Sequence, residues 1–274
     1  MGAPATPATP GRAELARLIE ALVPAMRAAA ARIEEVRRSG DFAAENKPDS
    51  SPVTAADRDA EAILRAAIRA AAPEAVIVGE EGVADGDMPA PAPAFWLLDP
   101  LDGTRDFLAG RDGYTVNAGL VVAGAPVLGL VGHPPSGRLW AGASGLGAFL
   151  EPEGEARVPL RPRPFADPPV LLLSHSHLDA ETRAWAEAVP GAVQATAGSS
   201  IKFCLLAAGE ADAYPRYGLT FEWDTAAADA ILRAAGGITL GRGGRPLAYG
   251  KDGYRNGPFL ALADPAAAGR LPAL

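Results

Sequence analysis

Apolar residues at Leu15, Leu18, Ile19 and Leu22 fall on one stripe of a helix, so residues 12 to 38, rich in Ala, Leu, Arg and Glu, read as an amphipathic helix. Pro24 is expected to bend or break it, because the ring removes a backbone donor and crowds the preceding turn. After the polar stretch Asn46 to Pro52, Thr54 and Asp57 have the spacing of a capping pair. They predict a second helix running to about Ala71, ahead of Pro73. Val76 to Val78 reads as a short strand and residues 83 to 94 as a loop. The apolar run Phe95, Trp96, Leu97, Leu98 suits a buried strand ending at Asp99.

From Tyr114 to Leu150 the pattern is several strands separated by turns containing glycine. Val116 to Gly132 is the greasiest stretch, but Asn117 and the Gly124, Ala125, Pro126 turn interrupt it. A membrane helix needs about 20 apolar residues, so two buried strands explain it better and no integral membrane segment is expected. Beyond a Pro-rich crossing at 161 to 169 come a strand at Val170 to Leu173 and helices near Ala180 to Ala188, Ser199 to Ala208 and Asp224 to Ala235. The alternation favours a layered α+β architecture, α-β-α-β in order. We place a flexible tail at 1 to 11, one subdomain at 12 to 160 and a second at 161 to 274, the two forming one compact unit.

Composition narrows the possibilities. Of the 274 residues 49% are hydrophobic and 21% charged, the balance of an ordinary globular protein. The formal charge of -8 argues against a binder of nucleic-acid polymers, which needs a basic stripe. Small phosphorylated ligands remain compatible with it. The lone Cys204 excludes an internal disulfide and a thiolate zinc site, and fits a reducing cytoplasm. Cys204 lies among Phe203, Leu205 and Leu206, so it reads as a small buried apolar residue rather than a nucleophile.

The chemistry is carried by acids. Asp99 and Asp102 flank Pro100 and Leu101 and precede Gly103 and Thr104; a tight turn there can aim both carboxylates to one side. Paired carboxylates repel, and a bound cation relieves them. Hard cations such as Mg2+ prefer oxygen ligands of this kind. A helix starting near Thr104 would turn the N–H groups of Gly103 and Thr104 toward a phosphate oxygen. Glu80 and Glu81 follow another short strand, and Asp224 opens an apolar helix. Alone, each has a plainer explanation: a surface turn for Asp99 and Asp102, a solvated loop for Glu80, an N-cap for Asp224, half of a capping pair for Asp57.

Six segments taken in order change that balance: Ser51 to Asp57 (SPVTAAD), Asp99 to Phe107 (DPLDGTRDF), Tyr114 to Asn117 (YTVN), Ser174 to His177 (SHSH), Gly198 to Cys204 (GSSIKFC) and Tyr214 to Arg216 (YPR). Together with the glutamate loop and the Trp223-Asp224 helix they resemble the inositol monophosphatase superfamily, and within it the CysQ-type 3'(2'),5'-bisphosphate nucleotidases. The likeness spans most of residues 45 to 255 and implies a sugar-phosphatase fold.

The resemblance implies that Glu80, Asp99 and the Leu101 carbonyl hold one Mg2+, and Asp99, Asp102 and Asp224 a second. Asp57, with Glu80, would hold a third ion more loosely. Asp57 and Thr104, with Glu80 acting through that loosely held ion, would orient and deprotonate the attacking water. With Asp57 counted, five of the eight excess negative charges sit at this site. The implied substrate is an adenosine bisphosphate, 3'-phosphoadenosine 5'-phosphate, cleaved to AMP and phosphate. Its phosphoryl group would meet Leu101, Asp102, Gly103, Thr104 and Asp224. Ser199 and Ser200 precede a helix, where their hydroxyls either bind phosphate or ribose oxygens or act as N-caps. Lys202 and Arg216 are the candidate cations for the 5'-phosphate, and His175 or His177 for the adenine or ribose; Tyr214 packs near the base or fills the core. Two other readings stay open: an inositol or histidinol monophosphatase on the same scaffold, and a catalytically silent nucleotide-binding sensor. The apolar strands would permit a homodimer. Some members of the family attach peripherally to the inner membrane, although nothing here resembles an anchor.

Overall fold

A computed structural model describes residues 9–42, 44–46, 52–152, 154–176 and 178–274. Most of the expected tail and most of the stretch from Asn46 to Pro52 lie outside these residues, as does His177.

Helix α1 (Arg12–Ser39) is continuous through Pro24, so of the expected bend or break the break does not occur. Both Pro24 and Glu20, whose carbonyl would have received the missing bond, are exposed, so water can satisfy that carbonyl. The buried stripe meanwhile continues without interruption from Leu15 to Val36. A short ladder of β1 (Glu45–Asn46) and β2 (Pro52–Val53) leads to α2 (Ala55–Ala71). The predicted capping box opens α2: the Thr54 hydroxyl accepts from the Ala56 N–H, and Asp57 Oδ2 accepts from the Thr54 N–H at 2.7 Å.

The main sheet has seven strands in chain order: β3 (Ile77–Gly79), β4 (Ala94–Asp102), β5 (Thr115–Val122), β6 (Ala125–His133), β7 (Arg138–Ala143), β8 (Gly147–Leu150) and β9 (Val158–Pro159). Only β3 and β4 are parallel. The segment between them, expected to be a loop from residue 83, begins with helix α3 (Glu80–Ala84). Helix α4 (Thr104–Leu108) follows β4 directly. One face of this sheet packs on α1 and α2 through Leu22, Ile33, Leu64, Leu98, Val116 and Leu130.

The second sheet runs β11-β10-β12-β16-β14, built from β10 (Val170–Ser174), β11 (Val193–Ala197), β12 (Ala213–Arg216), β14 (Ile238–Gly241) and β16 (Phe259–Leu262). Helices α6 (Ile201–Ala207) and α7 (Ala226–Ala235) fill the space between the sheets. Phe95, Val121, Trp140, Phe203, Ile231 and Phe259 form one core there, drawing on both halves of the chain. Helix α5 (Ala180–Glu187) covers the far face of the second sheet through Trp185 against Leu171 and Leu173. The order is thus helices, sheet, helices, sheet, with α5 as an additional outer layer. A last small ladder pairs β13 (Thr220–Phe221) with β15 (Arg255–Asn256).

Glycine sets how close α7 lies. Gly119 and Gly129 face each other across β5 and β6. A Cβ on Gly129 would lie 1.8 Å from the Ala227 carbonyl oxygen, and one on Gly119 2.7 Å from the Ala227 nitrogen. The bare patch lets the backbone of α7 rest on the sheet, which places the connection carrying Asp224. Among the described residues no helix is long and apolar enough to cross a membrane.

Candidate active site

Strand β4 does not end at Asp99 but continues to Asp102 with a bulge. Asp99 pairs with Asn117 and Asp102 with Thr115, so three steps on β4 match two on β5. Side chains three positions apart on a regular strand point to opposite faces. The extra residue cancels that alternation and turns both carboxylates to the same side. Asp99 Oδ1 accepts from the Leu101 N–H at 3.2 Å. Gly103, at φ 99°, makes the left-handed step into α4, where a Cβ would also strike the Gly113 carbonyl oxygen at 2.7 Å.

Two other elements bring further acids. Glu80 is the first residue of α3, immediately after β3. Asp224 lies between β13 and α7; its Oδ2 accepts from the Phe221 N–H at 2.9 Å, while the N-cap position of α7 belongs to Thr225. The expected N-cap role for Asp224 is therefore not what its side chain does. Glu80, Asp99, Asp102 and Asp224 line one cavity of about 350 Å³, together with Thr104 and His175.

Electrostatics at this cavity are unfavourable to the ionised acids. Burial, and then the charges of Glu80, Asp102 and Asp224, hold Asp99 well above the ordinary carboxylate range. Burial and then Asp102 and Glu80 do the same to Asp224. Burial pushes Asp102 up to about 6, although the neighbouring Lys202 pulls the other way. An all-oxygen, anionic donor set under mutual repulsion fits a hard divalent cation. Among the described residues no three carboxylate, imidazole or thiolate groups already stand at the spacing of a finished cation site. Asp99 shares a hydrogen bond with Glu80 instead.

Asp57 is buried, with its oxygens divided between two tasks. Oδ2 serves the α2 cap, and Oδ1 lies 3.2 Å from the Thr104 hydroxyl, which also stands 3.1 Å from the Leu101 carbonyl. The capping role and the pairing with Thr104 coexist.

The segment before α6 departs from expectation. Neither Ser199 nor Ser200 caps the helix with its side chain. The Ser199 hydroxyl is shared by the carbonyls of Asp102 at 2.8 Å and Gly113 at 2.7 Å, with Ser199 itself held at φ 46°. Ser200 turns its hydroxyl to Asn117 and Thr115, at 2.6 and 2.9 Å, and offers its backbone N–H to the Asp102 carboxylate. The pair thus clamps the acidic strand end. Lys202 is buried and donates to the carbonyls of Ser199 at 2.7 Å and Ala197 at 3.1 Å. Burial lowers its ammonium to about 7 against the favourable charge of Asp102. Lys202 and Arg216 line an adjoining cavity of about 180 Å³ that shares Asp102, Ser174, Ser199 and Asp224 with the first. Arg216 donates to the Ser174 hydroxyl at 2.9 Å. Tyr214 is core, edge-on to Phe203 and Phe259. Cys204 is fully buried and its thiol is pushed up by that burial.

One residue that the sequence reading passed over supports Glu80. Glu61, on α2, accepts from the backbone N–H groups of Glu81 at 2.9 Å and Gly82 at 3.2 Å, and pairs with Arg65 at 2.7 Å. It fixes the start of α3 from outside. The signal was the Asp57, Glu61, Arg65 series at i, i+4, which puts all three on one helix face.

The model of the inositol monophosphatase family matches residues 14–270. Over 204 residues the chain is 38% identical to the 3'(2'),5'-bisphosphate nucleotidase CysQ of Shigella flexneri, covering 74% of this chain and 82% of that protein. The CysQ of Escherichia coli K12 is 36% identical over the same shares. Among solved structures, CysQ from Bacteroides thetaiotaomicron superposes with a TM-score of 0.76 at 31% identity, covering 89% of this chain and 96% of the other. SuhB of Mycobacterium tuberculosis does so with a TM-score of 0.72 at 29% identity, covering 93% and 94%. A family match over nearly the whole length, on a fold that gathers these four acids in one cavity, means that the chain belongs to the inositol monophosphatase family.

Proposed function

We propose that this chain is a Mg2+-dependent phosphomonoesterase that hydrolyses 3'-phosphoadenosine 5'-phosphate, or a related 3'(2'),5'-bisphosphate nucleotide, to AMP and phosphate. The observation that carries the reading is an acidic oxygen-lined cavity beside a second one holding Lys202 and Arg216. One phosphoryl group suits cation-loaded carboxylates and a second suits the buried basic pair. The relatives named as bisphosphate nucleotidases support the same substrate class.

In this reading Glu80, Asp99 and the Leu101 carbonyl would hold one Mg2+, Asp99, Asp102 and Asp224 a second, and Asp57 with Glu80 a third, more loosely. When bound, the ions supply positive charge for the phosphoryl oxygens and acidify nearby water. The chain's own residues do the rest. Thr104 orients the attacking water: it takes the water proton on Oγ1 and passes its own to Asp57 Oδ1, over the contact of 3.2 Å. Lys202, held by two backbone carbonyls and lying 4.8 Å over the Tyr214 ring, lends its charge to the 5'-phosphate. Arg216 shares that phosphate, and His175, at the exposed rim, meets the ribose or base.

Initial rates with Mg2+ on adenosine 3',5'-bisphosphate, inositol 1-phosphate and histidinol phosphate test this. Preference for the bisphosphate, abolished by chelation, is expected. A preference for either of the other esters would overturn the substrate, and tight nucleotide binding without turnover would make the chain a sensor.

A further inference from the structure

Asp106, on α4, reaches across the seam between the two halves. Its Oδ1 accepts a hydrogen bond from the Ser176 hydroxyl at 2.8 Å, and Arg111 pairs with it at 2.6 Å. Asp106 is 5% exposed and lies in the wall of the acidic cavity. The seam is tight beside it. A Cβ on Gly113 would lie 2.6 Å from Asp106 Oδ2, and one on Gly198 2.4 Å from the Gly113 carbonyl oxygen.

Ser176 belongs to the same short run as Ser174, whose hydroxyl accepts from Arg216 at 2.9 Å. The run from Ser174 to Ser176 is therefore tied at one end to the basic cavity and at the other to α4, the helix that follows the acidic strand end. The run thus links α4 to the Ser174 hydroxyl, which together with the carbonyls of Gly218 and Leu219 holds the Arg216 guanidinium. The supports of the four carboxylates are different: the β4 bulge for Asp99 and Asp102, the Phe221 N–H for Asp224, Glu61 for the start of α3. Releasing Ser176 leaves those intact.

We propose that the Asp106–Ser176 hydrogen bond is a specificity strap, which selects substrates bearing two phosphoryl groups by fixing the spacing between the acidic and basic cavities. The inference rests on the substrate class proposed above and adds Asp106 and Ser176, both in the wall of the acidic cavity, as positioning residues acting through their mutual hydrogen bond.

The test compares adenosine 3',5'-bisphosphate with p-nitrophenyl phosphate, at saturating Mg2+, in the wild-type chain and in Ser176→Ala, Asp106→Ala, the double variant and Asp106→Asn. Loss of one hydrogen bond to a charged acceptor predicts a rise in KM for the bisphosphate of about tenfold, with kcat little changed. The aryl phosphate should stay within about twofold. The double variant should be no worse than either single one, and Asp106→Asn, which retains an acceptor oxygen, should recover most of the loss. A parallel loss on both substrates, or no change on either, overturns the strap while the wild-type preference leaves the nucleotide reading standing. A wild-type chain that does not cleave the bisphosphate overturns both.

Discussion

The Thr104 hydroxyl stands 3.2 Å from Asp57 Oδ1, joining residues 47 positions apart at the edge of the acidic cavity. A capping residue thereby also touches Thr104 in the cavity wall, because only one of its two oxygens is needed at the helix start. The other points where a proton leaving Thr104 would go.

Asp57→Asn separates these roles. The amide oxygen can still accept from the Thr54 N–H, so the cost to stability should be about 1 kcal/mol, a few degrees in Tm for a chain of this size. With Asp57 as the proposed base, its loss should lower kcat about 10²- to 10⁴-fold. Initial rates beside a thermal melt check both; near-normal turnover would return Asp57 to capping alone.

Stability of the metal-free protein should fall as pH rises through the acidic range. Asp102, driven by burial, titrates at about 6 in the folded chain against 3.8 as its ordinary value, and Asp99 and Asp224 are raised as well. Between those values the folded state binds more protons than the unfolded one, which makes the slope of stability with pH negative. Lys202, lowered by burial to about 7, acts oppositely but only above that pH. In chelator, Tm is expected to be lower at about pH 7 than at about pH 5, and saturating Mg2+ should shrink the difference. A chelated protein whose Tm is flat across this range, or rises, would contradict the raised carboxylates.

Glu61 gives a prediction about placement. Glu61→Gln keeps the shape and weakens the two backbone bonds that fix α3, so the Mg2+ concentration for half-maximal activity should rise about threefold to tenfold. At saturating Mg2+, kcat should stay within about twofold. Glu61→Ala should also lower Tm, since Arg65 then loses its buried partner. An unchanged Mg2+ titration in both variants would show that Glu80 is placed by something else.

What was legible in the sequence was local. The Thr54 and Asp57 cap, the β5 to β6 turn and the strand leading to Asp99 each depend on residues a few positions apart. The bulge at Asp99 to Asp102 was half legible: the residues suggested that both carboxylates share a side, but the means is the pairing with Thr115 and Asn117, which only the sheet supplies. Ser199 and Ser200 looked like caps because they precede a helix. Their hydroxyls went elsewhere because Gly113 and Asn117, more than 80 residues earlier, come within reach. The break expected at Pro24 failed for another reason, since a helix with its apolar stripe buried on both sides of a proline tolerates one lost bond on its wet face.

The Gly119 and Gly129 pair gives the sharpest packing prediction. Gly129→Ala would drive a Cβ into the Ala227 carbonyl at 1.8 Å, and both contacting groups are backbone, which cannot rotate away. Helix α7 would have to lift from the sheet, and overpacking of this kind costs about 3 kcal/mol or more. Gly257→Ala is the control, because a Cβ there meets nothing within 4 Å and should change stability by less than about 0.5 kcal/mol. Denaturant midpoints at constant slope measure both. Gly119→Ala, whose closest clash is a milder 2.7 Å, should fold with α7 displaced and Asp224 with it. Its Mg2+ requirement should therefore rise beyond what its loss of stability explains; if Gly119→Ala and Gly129→Ala match the wild type in both midpoint and Mg2+ dependence, α7 is not seated by the bare patch.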